Sequence, residues 1–170
     1  TNLYDLGEAI KYAGTTTTNL GATLEQTAAA IGVLGDAGIQ GSMAGTALAN
    51  AYRYLSKSIG DPNFKGGKAL AKLGLSKSDF IDANGQLIDL GLALQKIANA
   101  SRGLGELDQY NLLVNILGVR GERAGSTMIR AFQNYTNLLD ELNNNSQGAA
   151  ASVREQRMAS LAGAIETVQS

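Results

Sequence analysis

The charged side chains that fall into groups along this chain are carboxylates and guanidiniums, and it contains no histidine and no cysteine. That removes His-based acid–base catalysis, Ser-His-Asp and Cys-His nucleophiles, His/Cys zinc sites and disulfides together. Carboxylates occur in neighbouring pairs, Asp5 with Glu8, Glu106 with Asp108 and Asp140 with Glu141. A glycosidase needs two such groups converging on a cleft, one with a raised pKa. Here they fall at helix starts or on polar faces, where a solvated charge accounts for them. Arg120, Glu122, Arg123 and Arg130 form a basic cluster able to meet phosphate, although helical i,i+3 pairing and solvation are the simpler reading. Asp82-x-Asn84-Gly85 resembles part of a calcium loop, but the further oxygen ligands and the closing Glu are missing. No Gly-Lys-Ser/Thr phosphate loop occurs, and Gly32-x-x-Gly35 falls within a helix. Each such glycine costs about 1 kcal/mol against alanine, for which close helix–helix contact compensates. The expectation is therefore no catalytic, cofactor-binding or metal-ligating residue, no cofactor and no small-molecule substrate.

Composition agrees. The chain has 170 residues, enough for one domain with a real core or two small ones. Lys plus Arg number 14 against 15 Asp plus Glu, a net charge of −1, so no long-range field draws a polyanion and specific nucleic-acid binding is not expected. The longest apolar stretch, Ala28 to Gly35, is far short of the roughly 20 residues of a membrane span. No basic n-region and apolar h-region open the chain. It begins at Thr1 without an initiator Met and closes at Ser170 inside a continuing helical pattern, which reads as a piece of something longer. Glycine is abundant, with 21 residues against a single proline, as expected for short helices with glycine stops.

The elements that position these groups are helices. Ala37 to Leu48, AGIQGSMAGTAL, has the form of a helix stop, a corner and a new start. Gly38 takes the left-handed conformation and Ile39 folds back onto the helix it leaves. Gly41 and Ser42 are suited to cap the next helix. Ala44, Gly45 and Ala47, with Thr46 and Leu48, form a packing motif that lets another helix approach closely. Upstream, Leu3, Leu6, Ile10, Ala13, Thr17 and Leu20 mark one helical face. Gly14 and the Thr15–Thr18 run weaken that helix unless tertiary packing supports it. Thr23 and Gln26 form a capping box for a face of Leu24, Ala28, Ile31 and Leu34. A third helix spans about Ser42 to Lys57, with Ala44, Ala47, Leu48, Ala51 and Leu55 inward. Gly60 to Gly67 reads as a mobile loop.

Further on, Lys68 to Leu73 stops at Gly74-Leu75, and Gly118-Val119 repeats the form. Phe80-Ile81-Asp82 and Gln86-Leu87-Ile88 flank a turn, giving one small β-hairpin near 79–88. Asp89 caps a helix of Leu90, Leu94, Ile97 and Ala98. Later faces are Leu107, Tyr110, Val114 and Leu117, then Met128, Phe132, Tyr135, Leu139 and Leu142. After Asn143-Asn144-Asn145 comes a stripe of Met158, Leu161, Ile165 and Val168 with coiled-coil spacing, a candidate oligomer contact. The predicted fold is all-α, a compact assembly of about seven to eight helices with that one hairpin. It forms a single unit over 1–170, or divides into 1–58 and 66–170 at a loop over 59–65.

The series LEQTAAAIGVLGDAGIQGSMAGTAL (24–48) resembles the core region of phage tail tape measure proteins. ALAKLGL (69–75), DANGQLIDL (82–90), ILGVRGERAGSTMI (116–129) and NNNSQGAAASVREQRMASLAGAIETV (143–168) continue the similarity in order, over essentially the whole chain. The Thr15–Thr18 run and Val119-Arg120-Gly121 depart from the usual form, outside the central block. The resemblance implies a non-enzymatic virion component. Members of that family are long, mostly helical chains, present in several copies in the tail lumen, around which the tube polymerises, so that chain length sets tail length. They leave ahead of the DNA at infection. The partners implied are further copies of the chain, tail tube and tail tip or baseplate proteins, and tail assembly chaperones. The locations implied are the virion tail lumen and, during assembly, the host cytoplasm. The alternatives from other classes are a cell-wall- or membrane-active module of a tail protein and a generic helical adaptor.

Overall fold

The computed structural model describes residues 2–144 and 151–169. Thr1, Asn145 and Ser170, on which sequence expectations also fall, lie outside the described residues. Among those described, eight helices follow one another: α1 (Leu3–Asn19), α2 (Leu24–Asp36), α3 (Gly41–Gly60), α4 (Lys65–Lys72), α5 (Leu90–Ala100), α6 (Glu106–Arg130), α7 (Phe132–Asn144) and α8 (Ala151–Gln169). A 3-10 turn at Lys77–Asp79 lies between α4 and α5. The all-α expectation holds.

Local chemistry explains where these helices begin and end. The Asn2 side chain caps α1 by accepting from the Asp5 amide at 2.8 Å. The helix then runs through Gly14 and the threonines because packing supports it there. Thr17 is buried, donates to the Gly14 carbonyl at 3.2 Å and accepts from the buried Thr27 hydroxyl at 3.1 Å. The Thr23–Gln26 capping box at the start of α2 is formed reciprocally. Gly38 has φ +86°, and the Ile39 amide reaches back to the Leu34 carbonyl at 2.9 Å. Gly74 and Leu75 repeat this double-bonded stop. A third copy at Gly21-Ala22, with φ +91° and the Ala22 amide bonded to the Thr17 carbonyl, was not foreseen.

Gly118 differs from these stops. Its angles, φ +78° and ψ 164°, interrupt α6 without a left-handed cap. Val119 beyond it is 70% exposed instead of tucked back. The chain does turn sharply here, because a Cβ on Gly125 would meet the Leu117 and Leu113 side chains from before the corner. Those contacts fold the two halves of α6 against each other.

The expected hairpin does not form. A single isolated bridge, Ile81 to Leu87, joins its arms, and there is no strand among the described residues. The Asp82 carboxylate takes the Asn84 and Gln86 amides at 2.8 and 3.0 Å. Cross-loop backbone pairing is left to Asp82 with Gln86 and Ile88 with Phe80. Arms this short, with no third strand beside them, cannot extend a ladder.

Other boundaries shift. α3 runs through Gly60 and α4 opens at Lys65, so the connection is only residues 61–64, and Gly66 and Gly67 are buried. The Met128–Leu142 stripe is divided, since α6 ends at Arg130 and α7 begins at Phe132. Leu107 and Tyr110, expected inward, are 72% and 49% exposed. In the assembled fold α3 is central, with α1 and α6 as its main neighbours. α2 packs on α7, α4 braces α3 and α6, and α8 lies on α1. Ala44, Ala47, Leu48, Ala51 and Leu55 of α3 are all buried in this core, the face read from their spacing.

Candidate functional site

Two close backbone contacts fix how α1 and α6 seat on α3. A Cβ on Gly45 would lie 2.8 Å from the Tyr12 Cβ and closer still to the Ala9 carbonyl oxygen of α1. On the other side, a Cβ on Gly121 of α6 would lie 2.8 Å from the Ala51 nitrogen and 2.9 Å from its Cα. Backbone meets backbone at both places, so no side chain can move aside. Of the predicted packing motif, Gly38 ends α2, Ile39 is buried, and Ala44, Gly45, Ala47 and Leu48 fill the interior, while Thr46 is half-buried. Gly41 is the first helical residue, with φ +58°. Ser42 is exposed and does not cap, because the capping position falls on Gln40 without a side-chain bond. The helices that approach this α3 face closely are α1 and α6 of the same chain.

A second arrangement joins α5 to α7. The Tyr135 hydroxyl, on a fully buried ring, donates to Asp89 at the start of α5. Burial pushes the Asp89 carboxyl above the usual carboxylate range, and the Tyr135 hydroxyl and the first-turn amides of Gly91, Leu92 and Leu90 pull it back only in part. Burial and then the Asp89 charge push the Tyr135 hydroxyl upward, so it remains a donor. The buried Tyr52 is raised for the same two reasons. Sequence reading placed Asp89 at a helix start and Tyr135 on an apolar stripe without joining them. A tyrosine on a core stripe, which needs a buried partner for its hydroxyl, was the available signal. At the seat of α4, Ser58 donates to the Ile116 carbonyl at 2.8 Å, and a Cβ on Gly66 would strike the Ser58 side chain.

The carboxylate pairs lie on three different helices: Asp5 and Glu8 on α1, Glu106 and Asp108 on α6, and Asp140 and Glu141 on α7. Among the described residues no group of acids is disposed to hold a metal ion. Asp82 Oδ1 accepts from its own loop amides. In the C-terminal stripe Leu161 is buried, and Met158 and Ile165 pack partly against the core. Val168 and Ile165 border an apolar groove of about 500 Å³ beside α1.

The arginine cluster is arranged differently from the paired reading. Glu122 accepts a hydrogen bond from Ser126. Among the described residues, Arg120, Arg123 and Arg130 make no hydrogen bond or ion pair. They border two adjoining grooves, of about 460 and 290 Å³, against the α2–α3 corner.

The family model for the phage-related minor tail protein matches residues 1–118. The chain is 35% identical over 165 residues to the tape measure protein of Pneumococcus phage Dp-1, covering 95% of this chain and 14% of that protein. It is 31% identical over 137 residues to the probable tape measure protein of Escherichia phage P2, covering 81% of this chain and 16% of that protein. The chain thus spans about a seventh of the length of the curated relatives it matches. No solved structure matches.

Proposed function

The chain belongs to the phage-related minor tail protein family, and we propose that it is a folded helical module of a tape measure protein, acting in tail assembly and length determination and in genome ejection. The observation that carries this reading is the glycine-seated packing of α1, α3 and α6, together with similarity to tape measure proteins over nearly the whole chain. A straight helix advances about 1.5 Å per residue and makes a linear gauge. This segment instead returns on itself at Gly21, Gly38, Gly74 and Gly118, so its contribution is a compact body carried within the gauge.

The module works without bond-making chemistry, by helix packing and protein–protein contact in the tail lumen, and in the host cytoplasm during assembly. Its partners are further copies of the chain, tail tube and tip or baseplate proteins, and assembly chaperones. What remains uncovered of the Met158, Ile165 and Val168 stripe is the surface for self-association. No described helix is long and apolar enough to cross a membrane.

The test is an in-frame deletion of residues 1–170 from the tail protein, read by electron microscopy of tails and by infectivity. The module reading expects aborted assembly or non-infectious virions. Tails that shorten in proportion and still infect would overturn it.

A further inference from the structure

We propose that the arginine-lined groove between the α2–α3 corner and the second half of α6 docks an acidic, amphipathic helical segment of a second tail protein. The proposal rests on reading this chain as an assembly module, and adds the surface and the chemistry of the partner.

Val119, Arg123, Ser126 and Arg130 recur at steps of four, three and four, one stripe of a helix, with Arg120 beside it. These guanidiniums are exposed and, among the described residues, unpaired. Two other arginines have partners within the chain: Arg53 donates to Thr16 and Arg102 to Asn99. In a protein of net charge −1, three unpaired guanidiniums thus line two adjoining grooves. Guanidinium forks match carboxylates with two parallel hydrogen bonds.

The walls add apolar anchors. Met43 is 53% exposed at the mouth of the smaller groove, and Tyr110 borders the larger one with the buried Ile39. Alternating cation and apolar contact suits a helix with an acidic flank and a hydrophobic edge. A phosphodiester backbone fits less well, because the Glu122 carboxylate stands in the larger groove and would repel a continuous run of negative charge.

The test places a photoreactive benzophenone amino acid at position 110 or 43 in intact tails, with position 4 as an exposed control. Crosslinked peptides are sequenced by mass spectrometry. The expected result is crosslinking from both groove positions to an Asp/Glu-rich segment of another tail protein. Arg120→Gln/Arg123→Gln/Arg130→Gln should reduce the yield about tenfold, the loss of at least one charge-assisted contact. Where the triple variant fails to assemble, Arg123→Gln alone, which borders both grooves, should act in the same direction. Crosslinks to another copy of this chain, to DNA or to nothing, or a yield indifferent to these arginines, would overturn the proposal. If that happens while the in-frame deletion still aborts tails, the groove assignment fails and the module reading stands.

Discussion

Asp89 and Tyr135 show what single residues do in this molecule. Tyr135→Phe removes the donor and leaves a partly buried carboxylate without its side-chain partner. The expected cost is about 1–3 kcal/mol in denaturant unfolding. The sign of the pH effect follows from the raised Asp89 pKa. Well below pH 4 the group is protonated folded and unfolded alike, and no penalty arises. As pH rises from there through the raised folded value, ionisation favours the unfolded chain, where the charge is solvated, and stability falls. Asp89→Asn should therefore gain on the parent protein as pH rises towards neutrality and lose that advantage in acid. A melting-temperature difference that stays constant across this range would refute the assignment.

At the scale of elements, the stops and the seats respond differently to substitution. Gly38 has open space around its missing side chain but a positive φ. Gly38→Ala should cost about 1 kcal/mol through backbone strain alone. Gly121→Ala drives a Cβ into the Ala51 backbone, and the expected cost is about 1–3 kcal/mol or more. Gly103, with nothing nearby and no positive φ, should accept Ala without loss. Urea unfolding of the three variants orders them, and a Gly121→Ala protein as stable as Gly103→Ala would remove the seat.

Much of this level was legible in the sequence. Capping boxes, glycine stops and apolar faces are local patterns, written within a few residues of one another. What was not legible depends on partners distant in the chain. Nothing around Gly121 announces that Ala51 lies against it, and nothing near Asp89 names Tyr135. Leu107 and Tyr110 sit at helical spacing, but the period of a stripe does not say whether another element covers it. The hairpin failed for a related reason: turn chemistry specified the turn, while a ladder needs neighbours that this fold does not supply.

At the scale of the whole molecule, α3 is gripped from both sides, so disturbance at either seat should spread through the core instead of staying local. The proposed role follows from that rigidity: a module that must keep its shape inside a tail presents fixed surfaces to its partners. Shape here depends on glycines that admit no side chain, Gly45 and Gly121 among them, and function should depend on them equally. The most direct measurement is tail assembly, by electron microscopy and infectious titre, in phage carrying Gly121→Val beside phage carrying Gly103→Val. The account predicts that Gly121→Val abolishes normal tails while Gly103→Val leaves them intact. Normal, infectious tails with Gly121→Val would contradict it.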